Sequence, residues 1–321
     1  MRFPGSWLCV DVIATRLAAA EDIVIHSAAG LRVAKRLRRE DMALGFNKEG
    51  RVLFEQLVRE ALTFGPREDR QSRAGSIEFR THWVLTPDEV PVGLVVWLGP
   101  GPVPPRPDYN SWIMDLEAVA TSSAGDDLAS IGDGRRVGEY RPIRELLKFM
   151  NPDDVQAFLS LYYDARTGPK GTRAEAYWSV LPTGTDQFTH FWSSAIVPEA
   201  GALFVHGITV KLAHREYTPQ STRGMITGGG TLVIVDPGTR VPVTVWGKLT
   251  DLLADDGVVA ELLGQLDIDK ISADASALIE DTVTLAGGGR YHASAFLMPT
   301  SQKRPVHPLA IMLHAEGGTA A

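Results

Sequence analysis

Eight histidines, at positions 26, 82, 190, 206, 214, 292, 307 and 314, and the single Cys9 are the side chains whose types suit acid–base, metal or nucleophile chemistry. Two of the histidines lie in strand-like runs. In "FTHFWSSAI" a period of two places Phe188, His190, Trp192 and Ser194 on one face, and His206 follows on the next run, "ALFVHGITVKL". Imidazoles among aromatic rings suit a pocket that is mostly apolar and orients a small molecule through a few polar groups. Phe188, His190, Trp192 and His206 are therefore the candidate ligand contacts. The alternative is that these histidines are core or surface side chains with their hydrogen bonds met.

Other chemistry has a recognisable spacing that is missing here. "GMITGGGT" has the glycines of a phosphate loop without its Lys-Ser/Thr, and reads as a linker; "LAGGGRYHA" reads as a turn before a strand. No nucleophile elbow, dinucleotide fingerprint or helical His-Glu-x-x-His pair is present, so no catalytic residue and no metal ligand is assigned. Haem is not expected, because no histidine or methionine is set apart as an axial ligand. Flavin is not expected either: Cys9 sits between Leu8 and Val10 and reads as a buried structural thiol. The run "RVAKRLRRED" gathers Lys35, Arg36, Arg38 and Arg39. It reads as a solvated helix face, with an acidic partner or a nucleotide as the alternative.

Composition narrows the class further. The 321 residues carry a formal net charge of -7, with 44% hydrophobic and 22% charged residues. That is a globular composition, and an acidic one argues against a dedicated nucleic-acid binder, which needs a basic surface to displace counterions. A lone cysteine forms no intramolecular disulfide and fits a reducing compartment, so the cytoplasm is expected. No apolar run reaches the roughly 18 to 20 residues of a membrane helix, and no membrane span is expected.

The elements that would position these residues come in three similar sets. "GPGPVPPRPDY" holds Pro100, Pro102, Pro104, Pro105 and Pro107 and reads as a stiff connector; "REYTPQSTRGMITGGGT" reads as a flexible one. Cutting there predicts domains at 1–103, 104–214 and 228–321, with few contacts crossing the connectors. Each piece opens on a short apolar strand: "SWLCVDVIA", "SWIMDLEAV" and "TLVIVDPGT". Each has a helical middle. In the second, Asn151 suits the N-cap, Pro152 the first turn, and Val155, Phe158, Leu159 and Tyr162 form one apolar stripe. Phe54, Leu57, Val58 and Ala61 repeat the spacing in the first piece, and Ile271, Ala275, Leu278, Ile279 and Thr282 predict a helix in the third. Each ends in a meander that closes on "GLVVWLG", "HGITVKL" or "LAIMLHA".

Strand, helices and antiparallel meander is the order shared by PAS and GAF domains. "MNPDDVQAFLSLYYDARTG" resembles the PAS stretch in which a Pro-Asp-Asp turn caps a helix, and "HGITVKL" resembles its closing strand, with Lys211 and Leu212 in place of the Asp-Ile-Thr ending. Over nearly its full length the chain also resembles an actinobacterial, notably mycobacterial, family of triple-domain PAS-GAF-PAS proteins. The residues that carry this are "SWLCVDVIA", the junction "PVGLVVWLGPGPVPPRPDYNSWIMDLEAVATSS" and the meander 174–212.

The expected class is α+β, three consecutive PAS/GAF-like domains, each an antiparallel sheet with flanking helices. The expected function is a non-enzymatic sensory or regulatory protein, monomer or homodimer, that binds a small-molecule ligand or an unidentified signalling protein. The alternatives are a scaffold with self-filled pockets and an enzyme with a scattered active site.

Overall fold

Short β-branched and aromatic runs alternate with Gly- and Pro-marked turns, and in the computed structural model the described residues form seventeen strands arranged in three antiparallel sheets. The structure describes residues 1–18, 22–66, 69–215, 230–274, 276–298 and 307–316. The first sheet contains β1 (Leu8–Asp11), β2 (Val24–Ala28), β3 (Leu31–Arg36), β4 (Gln71–Ala74), β5 (Ile77–Leu85) and β6 (Pro91–Pro100), in the order β3-β2-β1-β6-β5-β4. The second contains β7 (Tyr109–Asp115), β8 (Ala120–Gly125), β9 (Arg141–Pro142), β10 (Arg173–Val180), β11 (Thr189–Ile196) and β12 (Phe204–Leu212), in the order β10-β11-β12-β7-β8-β9. The third contains β13 (Thr231–Val235), β14 (Pro242–Gly247), β15 (Leu278–Thr284), β16 (Arg290–Leu297) and β17 (Leu309–Ala315), in the order β14-β13-β17-β16-β15.

All three sheets follow one plan. The opening strand lies between the second and the last strand of its set, as the pairs β1–β6, β7–β12 and β13–β17 show. A short third strand extends the first and second sheets at one edge. In the first set α1 (Val12–Leu17) joins β1 to β2; the other helices enter between the opening strands and the meander: α2 (Leu37–Glu40) and α3 (Lys48–Phe64) in the first set, α4 (Ile143–Leu147) and α5 (Val155–Thr167) in the second, α6 (Asp256–Gly264) and α7 (Ile268–Ala273) in the third.

The helix α3 starts where Asn47 accepts a hydrogen bond from the Gly50 amide, and it buries Phe54, Val58 and Ala61. Asn151 caps a 3-10 turn, Pro152–Asp154, by accepting from the Asp153 amide, and α5 begins one residue later, at Val155. Val155, Phe158, Leu159 and Tyr162 are all buried. In the third set the helical periodicity misleads. Only Ile271 of the expected stripe lies in a helix; Leu278, Ile279 and Thr282 belong to β15, and Ala275 lies outside the described residues. In β15 only Ile279 and Val283 are buried, with the exposed Asp281 between them on the same face of the strand. Most of the Gly-rich connector lies outside the described residues.

The apolar faces stack the chain in six layers. Helices α2 and α3 cover one face of the first sheet over Leu37, Phe54, Val58, Leu94 and Val96. The opposite face, with Trp7, Cys9, Val95 and Trp97, packs on the second sheet through Trp192, Ile208, Val210 and Leu212. The second sheet turns its other face to α4 and α5, and Leu232, Ile234 and Val243 of the third sheet cover the far side of the same helices. Finally α6 and α7 cover the outer face of the third sheet over Leu262, Leu263 and Ile271. The composition of the two connectors predicts few contacts across them; the sheets they join instead share continuous apolar cores, because each sheet has a second apolar face that its own helices do not cover.

Candidate functional site

Between the second sheet and α5, β7, β10, β11 and β12 aim alternate side chains at the helix and leave a cavity of about 30 Å3. That is room for about one water molecule. Aromatic rings fill the rest of the space. Trp178 of β10 stacks on Phe191 of β11 with ring centroids 4.7 Å apart, and Phe158 of α5 meets Trp178 edge-on at 5.6 Å. Trp112 lies flat across Gly207 of the neighbouring β12, where a Cβ would stand 2.1 Å from the indole, so only glycine admits the ring.

The charged and hydroxyl groups on the polar side of the cavity are paired, while the buried Trp112 Nε1 finds no hydrogen-bond partner among the described residues. Asp133 and Arg135 form an ion pair at 2.6 Å with both side chains only 1% exposed. The guanidinium also donates to Ser123 Oγ at 3.0 Å and Thr121 Oγ1 at 3.3 Å on β8. Trp178 Nε1 donates to Ser193 Oγ at 2.7 Å, and Ser193 in turn meets Thr209 Oγ1. A buried pair of this kind is costly to break, at about 3 to 5 kcal/mol for removal of one partner. The arrangement therefore closes the space with its own side chains. The pair escapes sequence reading because "GDGRR" looks like a solvated turn; its only signal is Gly132 and Gly134, both at positive φ, which fold the loop back onto β8.

None of Phe188, His190, Trp192 and His206 lines this cavity. Phe188 is 40% exposed just ahead of β11. The other three share a face, as the alternation predicts, and that face looks at the first sheet rather than at α5. His190 Nδ1 lies 2.8 Å from Ser179 Oγ, and burial, with help from the Arg215 charge, lowers its pKa. His206 Nε2 lies 2.9 Å from Asp88 Oδ2 of the first set of elements. Trp192 is fully buried with its ring centroid 4.2 Å from that of His26 on β2, and Arg32 stands over its other side at 5.6 Å.

The seam between the two sheets holds a buried polar line. His26 Nδ1 meets Ser27 Oγ at 3.1 Å, and Ser27 Oγ meets the Tyr109 hydroxyl at 2.9 Å. Burial pushes the His26 pKa well below the usual imidazole range, and the Arg173 and Arg32 charges add to it. Burial likewise pushes the Tyr109 hydroxyl and the Cys9 thiol well up. The Asp11 carboxyl is raised by burial and partly offset by Arg173, whose Nη1 lies 3.2 Å from Asp11 Oδ2. Neutral His26 and a protonated thiol make this a packing seam. Gly93 of β6 belongs to it as well: a Cβ there would stand 2.5 Å from Ile208 Cδ1. Among the described residues no group of three or more His, Cys, Asp or Glu side chains is placed to hold a metal ion, and no helix is long and apolar enough to cross a membrane.

No family model and no curated protein matches the chain. Among solved structures, an uncharacterised protein from Mycobacterium tuberculosis superposes with a TM-score of 0.62 at 15% identity, over 96% of this chain and 95% of that one. The two share a fold over their whole lengths. An RNA-binding light-oxygen-voltage receptor aligns over 64% of this chain and 95% of its own at 10% identity, with a TM-score of 0.25, too low to bear on the fold.

Proposed function

We propose that the chain is a non-enzymatic regulatory protein of three PAS/GAF-like units, 1–103, 104–214 and 228–321, that acts in the cytoplasm by contact with a signalling partner. In this reading the units are stacked as a scaffold and the pocket of the middle one is filled by its own side chains. The common strand order of the three sheets and the helices placed between opening pair and meander support the PAS/GAF-like assignment. The M. tuberculosis protein shares this fold over its whole length, which fits a three-unit architecture.

The observation that carries the functional reading is the size of the inner cavity, about 30 Å3, beside a fully paired Arg135. Small-molecule sites run to roughly 300 to 1,000 Å3. A sensor working through that pocket would first have to expel Phe158 or Trp178 and break the buried ion pair. Native mass spectrometry of protein purified from its own host tests this. The expected result is the mass of the bare chain, or of a complex that Arg36→Gln/Arg39→Gln abolishes. A copurified molecule that survives in that double variant and is lost in Phe158→Trp, which closes the cavity further, would overturn the self-filled reading.

A further inference from the structure

A second concavity lies outside the middle cavity, at the seam between the first and second sets of elements, and its chemistry is of another kind. This groove has a volume of about 510 Å3, within the range of small-molecule sites. Lys35 and Arg36 of β3, Arg39 of α2 and Arg173 of β10 line it, with Glu40 at its rim. The floor is Val24 and Ala34, which present no charge.

Two of the four cations are already engaged. Lys35 Nζ pairs with Glu40 Oε1 at 2.7 Å, and Arg173 with Asp11. Arg36 and Arg39 are exposed and make no ion pair among the described residues. The groove thus sets four positive groups against two negative ones, in a chain whose net charge is -7. A cleft lined by one sign of charge with low-dielectric walls focuses its field and attracts the opposite ion. Guanidinium forks match the several oxygens of a phosphate, and two unpaired forks beside a third suit a group that carries at least two negative charges.

The geometry points to this groove as the binding site of a small phosphorylated molecule that bridges Arg36 and Arg39 of the first set to Arg173 of the second. An extended nucleic acid is disfavoured, since the chain as a whole carries a net charge of -7. The inference is independent of how the inner cavity is filled. It also gives part of the basic run a role that a solvated helix face does not: residues 32–36 are strand, and Lys35 and Arg36 of that strand line one cleft with Arg39 of the following helical turn, whereas Arg32 and Arg38 pair with Glu175 and Glu55.

Isothermal titration calorimetry of the full chain with inorganic pyrophosphate and with ATP tests the site. The expected result is one site per chain, weakened at high salt, and weakened about tenfold or more by Arg36→Gln/Arg39→Gln. Both side chains are exposed, so the double variant should melt like the wild type; Arg36→Lys/Arg39→Lys keeps the charge but loses the forks, and should bind more weakly than the wild type and more tightly than the Gln variant. Sedimentation with phosphatidylcholine vesicles, with and without phosphatidylinositol bisphosphate, separates the two sources of such a group. Binding to pyrophosphate or ATP without cosedimentation identifies a soluble ligand, and cosedimentation lost in the double variant identifies a lipid headgroup. Absence of binding in every arm, binding indifferent to the Gln substitutions, or binding only to long single-stranded DNA would overturn the proposal.

Discussion

His26 is buried as the neutral imidazole, and that makes it a source of acid sensitivity. Its pKa in the folded chain lies well below the ordinary imidazole value of 6.5, first through burial and then through Arg173 and Arg32. Below pH 6.5 the unfolded chain therefore takes a proton that the folded chain refuses, and stability falls as pH falls, by up to about 1.4 kcal/mol per pH unit. Asp11 works in the opposite sense, since its raised pKa lets the folded chain take a proton first, but in a lower window that starts from 3.8. Between pH 7.5 and 5.5 the melting temperature should drop, and His26→Gln should flatten the slope whatever it does to the starting value. Equal slopes in wild type and variant would show that the seam opens to solvent on acidification. Trp192, whose ring meets that of His26 at a tilt, belongs to the same seam.

The elements differ in how far their sequences announce them. Asn151 is 95% shielded and accepts the Asp153 amide at 3.1 Å, so Asn151→Ala should lower stability by about 1 kcal/mol in urea unfolding, and Asn151→Asp should restore most of it. A cost near zero would mean that the 3-10 turn holds itself. The helix that follows was legible because an i, i+3, i+4, i+7 stripe and a Pro at the first turn agree. The orientation of β11 was not. Alternation places His190 and Trp192 on one face, but Phe191, Ser193 and Ala195 on the other face are equally buried, so no polar side remains to show which face meets the helices. The stretch 271–282 misled for a related reason: apolar residues four apart, such as Ile279 and Val283, fit a helix or a half-buried strand, and only the antiparallel pairing of β15 with β16 decides between them. The Arg135 pair was invisible because its partners on β8 lie 12 and 14 residues upstream in a segment without charge.

For the whole molecule, the stacked layers govern how it comes apart. A fragment ending near residue 103 would expose the face of the first sheet that carries Trp7, Cys9, Val95 and Trp97, which the second sheet normally covers. It should melt well below the intact chain and bind a hydrophobic dye. A fragment ending near residue 214 keeps that seam and uncovers only the side of α4 and α5 that meets the third sheet. Differential scanning fluorimetry of the two fragments checks the order: the longer one should be the more stable. The reverse order, or a fully cooperative and dye-silent 1–103 fragment, would show that the sheets are self-sufficient.

Every residue of α5 is buried or half-buried, whereas α3 and α6 each keep an exposed side. Flanked by one sheet from its own set and another from the next, α5 has no surface on which a substitution is free of a neighbour. Chance drift therefore meets very different resistance along the chain: lineages can rewrite the outward sides of α3 and α6, while a change in α5 has to be answered by changes in two sheets at once. Distant descendants of this molecule should look least alike at the two ends of the stack and most alike in its middle helix.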